Sequence, residues 1–209
     1  MTAPAAATRG ELRKRETETK LLDAAVAVFT ARGYDAATTG EIAREADVGA
    51  GTFYLHFRDK RAVYEGIARR AAHDVIEQWQ AALRPGMALD DRVVLGLQLV
   101  VEFWREDPDR ARLLLEGGPA FGSEGHVRLV DEIARVLARG ESRRVTSRRA
   151  LALVVVGLGI ELGRLIVADP SDAGDVEAVM RLVRRAVSDG GGDGPRPIPR
   201  RPGGVRRRA

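Results

Sequence analysis

The stretch from Thr38 to Lys60, TTGEIAREADVGAGTFYLHFRDK, leaves this chain few folds to choose from. It opens on a capping box, in which the Thr38 hydroxyl accepts from the backbone N–H of Glu41 and the Glu41 carboxylate reaches back to Thr38, starting a helix. Ile42, Ala43 and Ala46 give that helix one narrow apolar face. Asp47 and Val48 fall where the chain must turn, and Asp is among the few non-glycine residues that tolerate left-handed backbone angles. Gly49 follows, and a second helix runs to about Phe57. Phe53 and Phe57 are four residues apart and lie one above the other, so with Val48 they form a buried seam.

The rest of the second helix faces outward. Ala50, Thr52, Tyr54, Leu55 and His56 are expected wholly or partly at the surface, and small residues beside Tyr and His suit the groove of a duplex. Asp59 caps a third helix whose first turn carries Lys60 and Arg61. The helix macrodipole disfavours cations there unless an anion is near.

Ala24 to Phe57, AAVAVFTARGYDAATTGEIAREADVGAGTFYLHF, resembles the DNA-binding domain of the TetR family of bacterial transcriptional regulators. Phe29, Gly33, Tyr34, Thr38, Ile42, Ala43, Gly51, Thr52, Tyr54, His56, Phe57 and Lys60 carry the resemblance. It implies an all-α fold of about nine helices: a three-helix helix-turn-helix domain, then a larger helical domain for ligand binding and dimerisation. It also implies that Thr39, Thr52, Tyr54, His56 and Lys60 approach backbone phosphates while Ala50, Gly51 and Leu55 face base edges. Phosphate contacts position a protein and base contacts specify the sequence. Asp47, Gly49 and Ala50 depart from the family pattern, which favours Gly, a polar residue, and Lys, Arg or Gln at these places. The second helix is therefore poor in hydrogen-bonding side chains. Readout is expected to lean on thymine methyl groups, on groove shape, and on Arg44 or an N-terminal arm. With Thr38 at the cap, the DNA-binding set is Thr38, Thr39, Arg44, Ala50, Gly51, Thr52, Tyr54, Leu55, His56 and Lys60.

The arm is the basic run within residues 1–15, where Arg9, Arg13, Lys14 and Arg15 stand against one acid, Glu11. Such arms enter an adjacent minor groove, or remain solvated tails. The helix-turn-helix unit is assigned to residues 16–60, beginning with a helix over Glu16–Arg32, and the effector-binding and dimerisation unit to residues 61–189. From Gly190 to Ala209 there are six arginines and one acid, a net of +5 in a chain of net +4, so the preceding residues sum to −1. The pI of about 9.9 thus belongs to an Arg/Gly/Pro tail that is expected not to fold, and it is no independent support for nucleic-acid binding.

At 209 residues the chain has room for a proper core. With no cysteine it has no disulfide, no thiolate chemistry and no sulfur-ligated metal. No continuous apolar run reaches the roughly 18 residues of a bilayer span, and Met1–Gly10 lacks the pattern of a signal peptide, so a cytoplasmic protein with no membrane partner is expected.

Beyond Lys60 the apolar periodicity reads as helix throughout. Val63, Ile67, Val75, Ile76 and Trp79 mark a helix over 60–83; Val94, Leu97, Val101 and Trp104 mark one over 90–105, followed by a short helix to 116. Val127, Val130, Ile133, Val136 and Leu137 mark another over 124–139, and two apolar helices follow over 147–168 and 175–188. This last pair is the dimerisation candidate. Gly159 and Gly163, four apart, would admit a close helix, and Val176, Val179, Met180, Val183 and Val187 repeat at helical spacing. The alternative is ordinary core within one chain.

Catalysis is not expected. The glycines at 157, 159 and 163 miss the dinucleotide-loop spacing, Ser123 sits in FGSEG and not in G-x-S-x-G, and His56, His73 and His126 lack metal-ligand spacing. No cofactor or metal is implied. For a cavity in the middle helices, Phe103, Trp104, His126 and Glu161 are the candidate lining. The partners expected are a palindromic double-stranded DNA operator, a second copy of the chain, and a small-molecule effector of unknown identity that releases a repressor from DNA. The alternative is a DNA-binding regulator without an effector, controlled by a protein partner or by abundance.

Overall fold

The computed structural model describes residues 8–115, 123–138, 147–169 and 173–188. Among them are nine helices and no strand. The Arg-rich tail lies outside the described residues.

Helix α1 (Arg9–Arg32) begins behind Thr8, which forms a capping box with Glu11, and ends at Gly33, whose φ of 77° turns the chain while its amide donates to the Phe29 carbonyl. This corrects the boundary expected at Glu16: the run Arg9–Arg15 is helical, not an extended arm. The reason is local. Thr8 and Glu11 supply the same reciprocal start as Thr38 and Glu41, and alternating Glu and Arg are good helix formers.

Helices α2 (Thr39–Glu45) and α3 (Ala50–His56) pack on α1 and on the start of α4 (Lys60–Ala82) around a compact core. Leu21, Ala25, Phe29, Ile42, Phe53 and Val63 are at most 1% exposed in it. Each large apolar side chain so buried contributes roughly 1.5–3 kcal/mol. Tyr34 and Tyr64 close the core from one side, their rings 5.5 Å apart and edge-on.

Helix α4 continues into a second core, shared with α5 (Leu89–Glu106), α7 (Ser123–Ala138), α8 (Arg148–Ala168) and α9 (Ala173–Ser188). Trp79 anchors the junction of α4 with α5: its indole N–H donates to the Arg92 carbonyl at 3.0 Å, and its ring lies where a side chain on Gly96 would stand. The two cores are joined by α6 (Pro108–Leu115) as well as by α4, because Leu113 belongs to the first core while α6 packs along α5 and α8.

Part of the dimerisation candidate set is taken up within the chain. Gly159 and Gly163 are buried within the chain, where Val100 lies against the first and Trp104 and Leu115 against the second. The close neighbour they admit is an internal one. Val176 is buried, and Val179, Met180, Val183 and Val187 are half-buried against α5 and the second core. Within one chain, that stripe is packed on the second core in part, with Val176 alone of the five fully buried. The apolar groups left in solvent are Leu153, Val154 and Leu165 on α8 and Leu182 on α9, from 43% to 65% exposed.

Helix α8 is also long and apolar enough to cross a bilayer by length and composition, with a mean hydropathy of 2.2, although Glu161 and Arg164 interrupt its apolar run. Its composition follows from double duty. One face fills the second core, the other presents Leu153, Val154 and Leu165, and little of its circumference is left for polar residues.

Candidate nucleic-acid interface and internal cavity

The turn between α2 and α3 takes the shape its residues call for. Asp47 adopts φ 53°, the left-handed angle expected of it, and the Val48 amide donates to the Ala43 carbonyl at 3.0 Å. Thr38 caps α2, accepting from the Glu41 amide at 3.2 Å while its own amide and hydroxyl donate to the Glu41 carboxylate at 2.9 and 2.8 Å. Those bonds to the ionised form, above all the one from the Thr38 hydroxyl, hold the Glu41 carboxyl below its usual range. Glu41 also pairs with Arg32 of α1 at 2.5 Å, so the start of α2 is tied to the end of α1.

Phe53 and Phe57 are buried with ring centroids 6.1 Å apart, and Val48 packs beside them. Helix α3 therefore presents its other face to solvent. Ala50, Gly51, Tyr54 and Leu55 are exposed, the last two 59% and 79%, and Thr52 and His56 are half-buried. The Tyr54 hydroxyl lies 3.1 Å from the Thr39 hydroxyl, which joins the free end of α3 to the first turn of α2. His56 Nδ1 is enclosed without a hydrogen-bond partner.

Lys60 and Arg44 are placed less simply. The Lys60 ammonium donates to the Tyr34 carbonyl at 2.6 Å and the Asp35 carbonyl at 2.9 Å, and lies 4.5 Å from the centre of the Tyr34 ring. The loop between α1 and α2 thus offers the ammonium two neutral carbonyl acceptors and a ring face, which partly offset its placement at the positive end of α4. Arg44 is exposed and donates to Gly40 of its own helix.

A cavity of about 340 Å³ lies among α4 to α8. Its walls are mainly apolar: Ala68, Ala71, Val75, Ile76 and Trp79 from α4, Val100 and Phe103 from α5, Leu129 and Ile133 from α7, Val155 and Val156 from α8. Of the sequence candidates, Phe103, Trp104 and His126 line it. Glu161 does not: it is exposed and pairs with Arg164 at 2.8 Å, and it is Arg164 that reaches the cavity wall. The Trp104 indole N–H is taken by the Gly159 carbonyl at 3.0 Å. No group of His, Asp and Glu capable of holding a metal occurs among the described residues.

Residues 21–67 match the family model described as bacterial regulatory proteins, tetR family. This stretch of the chain is a TetR-type N-terminal domain, and the curated relatives and solved structures that the chain resembles are transcriptional regulators of that kind. It is similar to the HTH-type transcriptional activator FasR of Mycolicibacterium smegmatis, 26% identical over 160 residues that cover 73% of this chain and 73% of FasR. In fold it is similar to a TetR-family transcriptional regulator from Streptomyces coelicolor, with a TM-score of 0.66, 23% identity and coverage of 87% of this chain and 100% of that one. It is likewise similar in fold to the transcriptional regulator FadR of Bacillus subtilis, solved in complex with stearoyl-CoA, with a TM-score of 0.62, 19% identity and coverage of 82% and 98%.

Sequence reasoning missed three features of this chain. Arg164 was not among the sequence candidates, although its place one helical turn after Ile160, another lining residue, was a signal of the same cavity face. Tyr64 gave no signal, because its partners are carbonyls of α6, far along the chain. The outward row on α8 was hidden by the evenly apolar composition of that helix.

Proposed function

We propose that the chain is a ligand-controlled repressor that acts as a homodimer on a palindromic operator. Helix α3 would enter the major groove, its exposed Ala50, Gly51 and Leu55 against base edges and Thr38, Thr39, Thr52, Tyr54 and His56 near phosphates. Two such heads, about one helical turn of DNA apart, require two-fold symmetry. The exposed Leu153, Val154 and Leu165 of α8 with Leu182 of α9 are the surface assigned to the second copy.

The observation that carries ligand control is the division of labour along α6. Leu113 is 4% exposed in the core of the DNA-binding head, while its neighbours Leu114 and Leu115 form part of the cavity wall. A ligand that fits the cavity best with α6 displaced would move a residue of the head core as well, and would shift the population of head positions that match the operator. A DNA-binding regulator without an effector has less support, since a filled centre is what it calls for and the cavity is within the usual range of about 300–1,000 Å³ for ligand sites.

The test is selection of bound sequences from random duplex DNA with the purified full chain, then measurement of transcription from the selected site with and without added metabolites. A palindromic site with half-sites about one turn apart, and transcription that rises on ligand addition, are expected. FasR is named an activator; transcription that needs the protein would reverse the sign assigned here, and a site without two-fold symmetry would remove the dimer.

A further inference from the structure

We infer that the effector taken by this cavity is an amphipathic acid, a carboxylate carried on an apolar body, with Arg164 as the residue that receives the carboxylate. The inference rests on the ligand-controlled reading above and specifies its chemistry.

The cavity wall is sorted by chemistry. Its interior is hydrocarbon and aromatic, and an apolar body is what such a surface rewards, at roughly 25 cal/mol per Å² removed from water. The described ionisable groups that line it are His126 and Arg164, and no described carboxylate does. Arg164 is a fixed cation whose counter-ion, Glu161, stands off the wall, so the described lining itself carries a positive group and no carboxylate.

Arg164 is the exposed residue of the cavity lining. Its side chain is 53% exposed, whereas Trp79 and Val156 inside are 2% and 5%. A ligand can therefore bury its body and leave its head where water still reaches it, which avoids the cost of carrying a carboxylate into the interior. The existing pairing does not block this. Glu161 meets Arg164 through one terminal nitrogen at 2.8 Å, both side chains are more than half exposed, and such surface pairs are weak. The guanidinium retains donors for a second carboxylate in its planar fork.

The other polar candidates fit less well as primary contacts. The Trp104 N–H is already engaged by Gly159, so a hydroxyl or amide head finds no free indole donor there. A cationic head would face the Arg164 guanidinium and compete with it for Glu161, the carboxylate already paired there. His126, half-buried on α7, can add one N–H to an acid without setting the sign of the preference.

The tryptophans make the test direct. The chain has two, Trp79 and Trp104, and both line the cavity. Decanoate, decanol and decylamine are titrated into the full chain while intrinsic fluorescence is followed, and release from the selected operator is measured in parallel. Decanoate is expected to bind about tenfold or more tightly than decanol, and decylamine most weakly, the scale of a hydrogen bond to a charged group. Arg164→Gln is expected to bring the decanoate-to-decanol ratio towards one; Glu161→Gln, which frees Arg164, is expected to preserve or raise it. Equal binding of acid and alcohol, preference for the amine, silence with all three probes, or a ratio unmoved in Arg164→Gln would overturn the inference. Decanoate bound without operator release keeps the ligand chemistry and removes ligand control. Operator release by decanol at the same concentration as decanoate does the reverse.

Discussion

The Tyr64 hydroxyl donates to the Leu113 carbonyl at 3.1 Å and lies 3.3 Å from that of Leu114, fastening α4 in the DNA-binding head to the last turn of α6. Both carbonyls belong to the last described turn of α6, and the bond to Leu113 is buried. It connects a residue in aromatic contact with Phe29 and Tyr34 to the helix whose next residues line the cavity.

Tyr64→Phe is therefore expected to cost about 1–2 kcal/mol, since it leaves a buried acceptor without its donor. Chemical denaturation checks the value. The same variant has a pH signature. Burial pushes the Tyr64 hydroxyl from its ordinary 10.0 up to about 12, so the unfolded chain ionises first. The contribution is complete below pH 10 and declines as pH rises towards 12. Stability curves of Tyr64→Phe and the parent should converge across that interval; parallel curves would show that Tyr64 is not the group responsible.

Lys60→Met is expected to destabilise the head by about 1–3 kcal/mol, because two loop carbonyls lose a charged donor. A residue used only for phosphates would give no change in stability and a fall of about one in the salt slope of operator binding. Denaturation in the absence of DNA, beside operator titrations at several salt concentrations, separates the two roles.

Gly163→Ala should be destabilising by about 1–3 kcal/mol, as its new methyl group would stand 2.7–2.9 Å from atoms of Trp104 and Leu115. Gly51→Ala meets open space in α3 and should stabilise the isolated protein by up to about 1 kcal/mol. At the face assigned to base edges the same methyl group is expected to weaken operator binding. Melting temperatures give the first contrast and gel-shift titration the second; unimpaired operator affinity of Gly51→Ala would displace that residue from the interface.

Leu153→Glu places a charge on the exposed row of α8 without touching the core, since Leu153 is 47% exposed in the chain. A monomer with near-parental helicity is expected in sedimentation at micromolar concentration, together with a marked loss of operator affinity. A stable dimer would mean that the second copy sits elsewhere.

The elements of this fold were legible because their signals are short-range. Capping boxes at Thr8 and Thr38, the Asp47 turn and the Phe53–Phe57 seam each lie within a few residues of chain, and a few residues suffice to specify them. The first box was nonetheless overlooked in favour of the charge around it. Side chains whose partners lie far along the chain were less legible. Glu161 and Arg164 share one segment of α8, and the periodicity of that segment does not say which of the two turns to the cavity.

What the sequence determined by itself is the order of the helices, the approximate extent of all but the first, and the outward face of α3, since local propensity, caps and apolar spacing act through near neighbours. What only the tertiary structure decided is which apolar stripe each later helix buries, where Gly159 and Gly163 find their close neighbour, and that Lys60 and Tyr64 bind loop and helix-end carbonyls. Those outcomes follow from competition among distant surfaces for one core, and the winner is set by shape and reach in three dimensions.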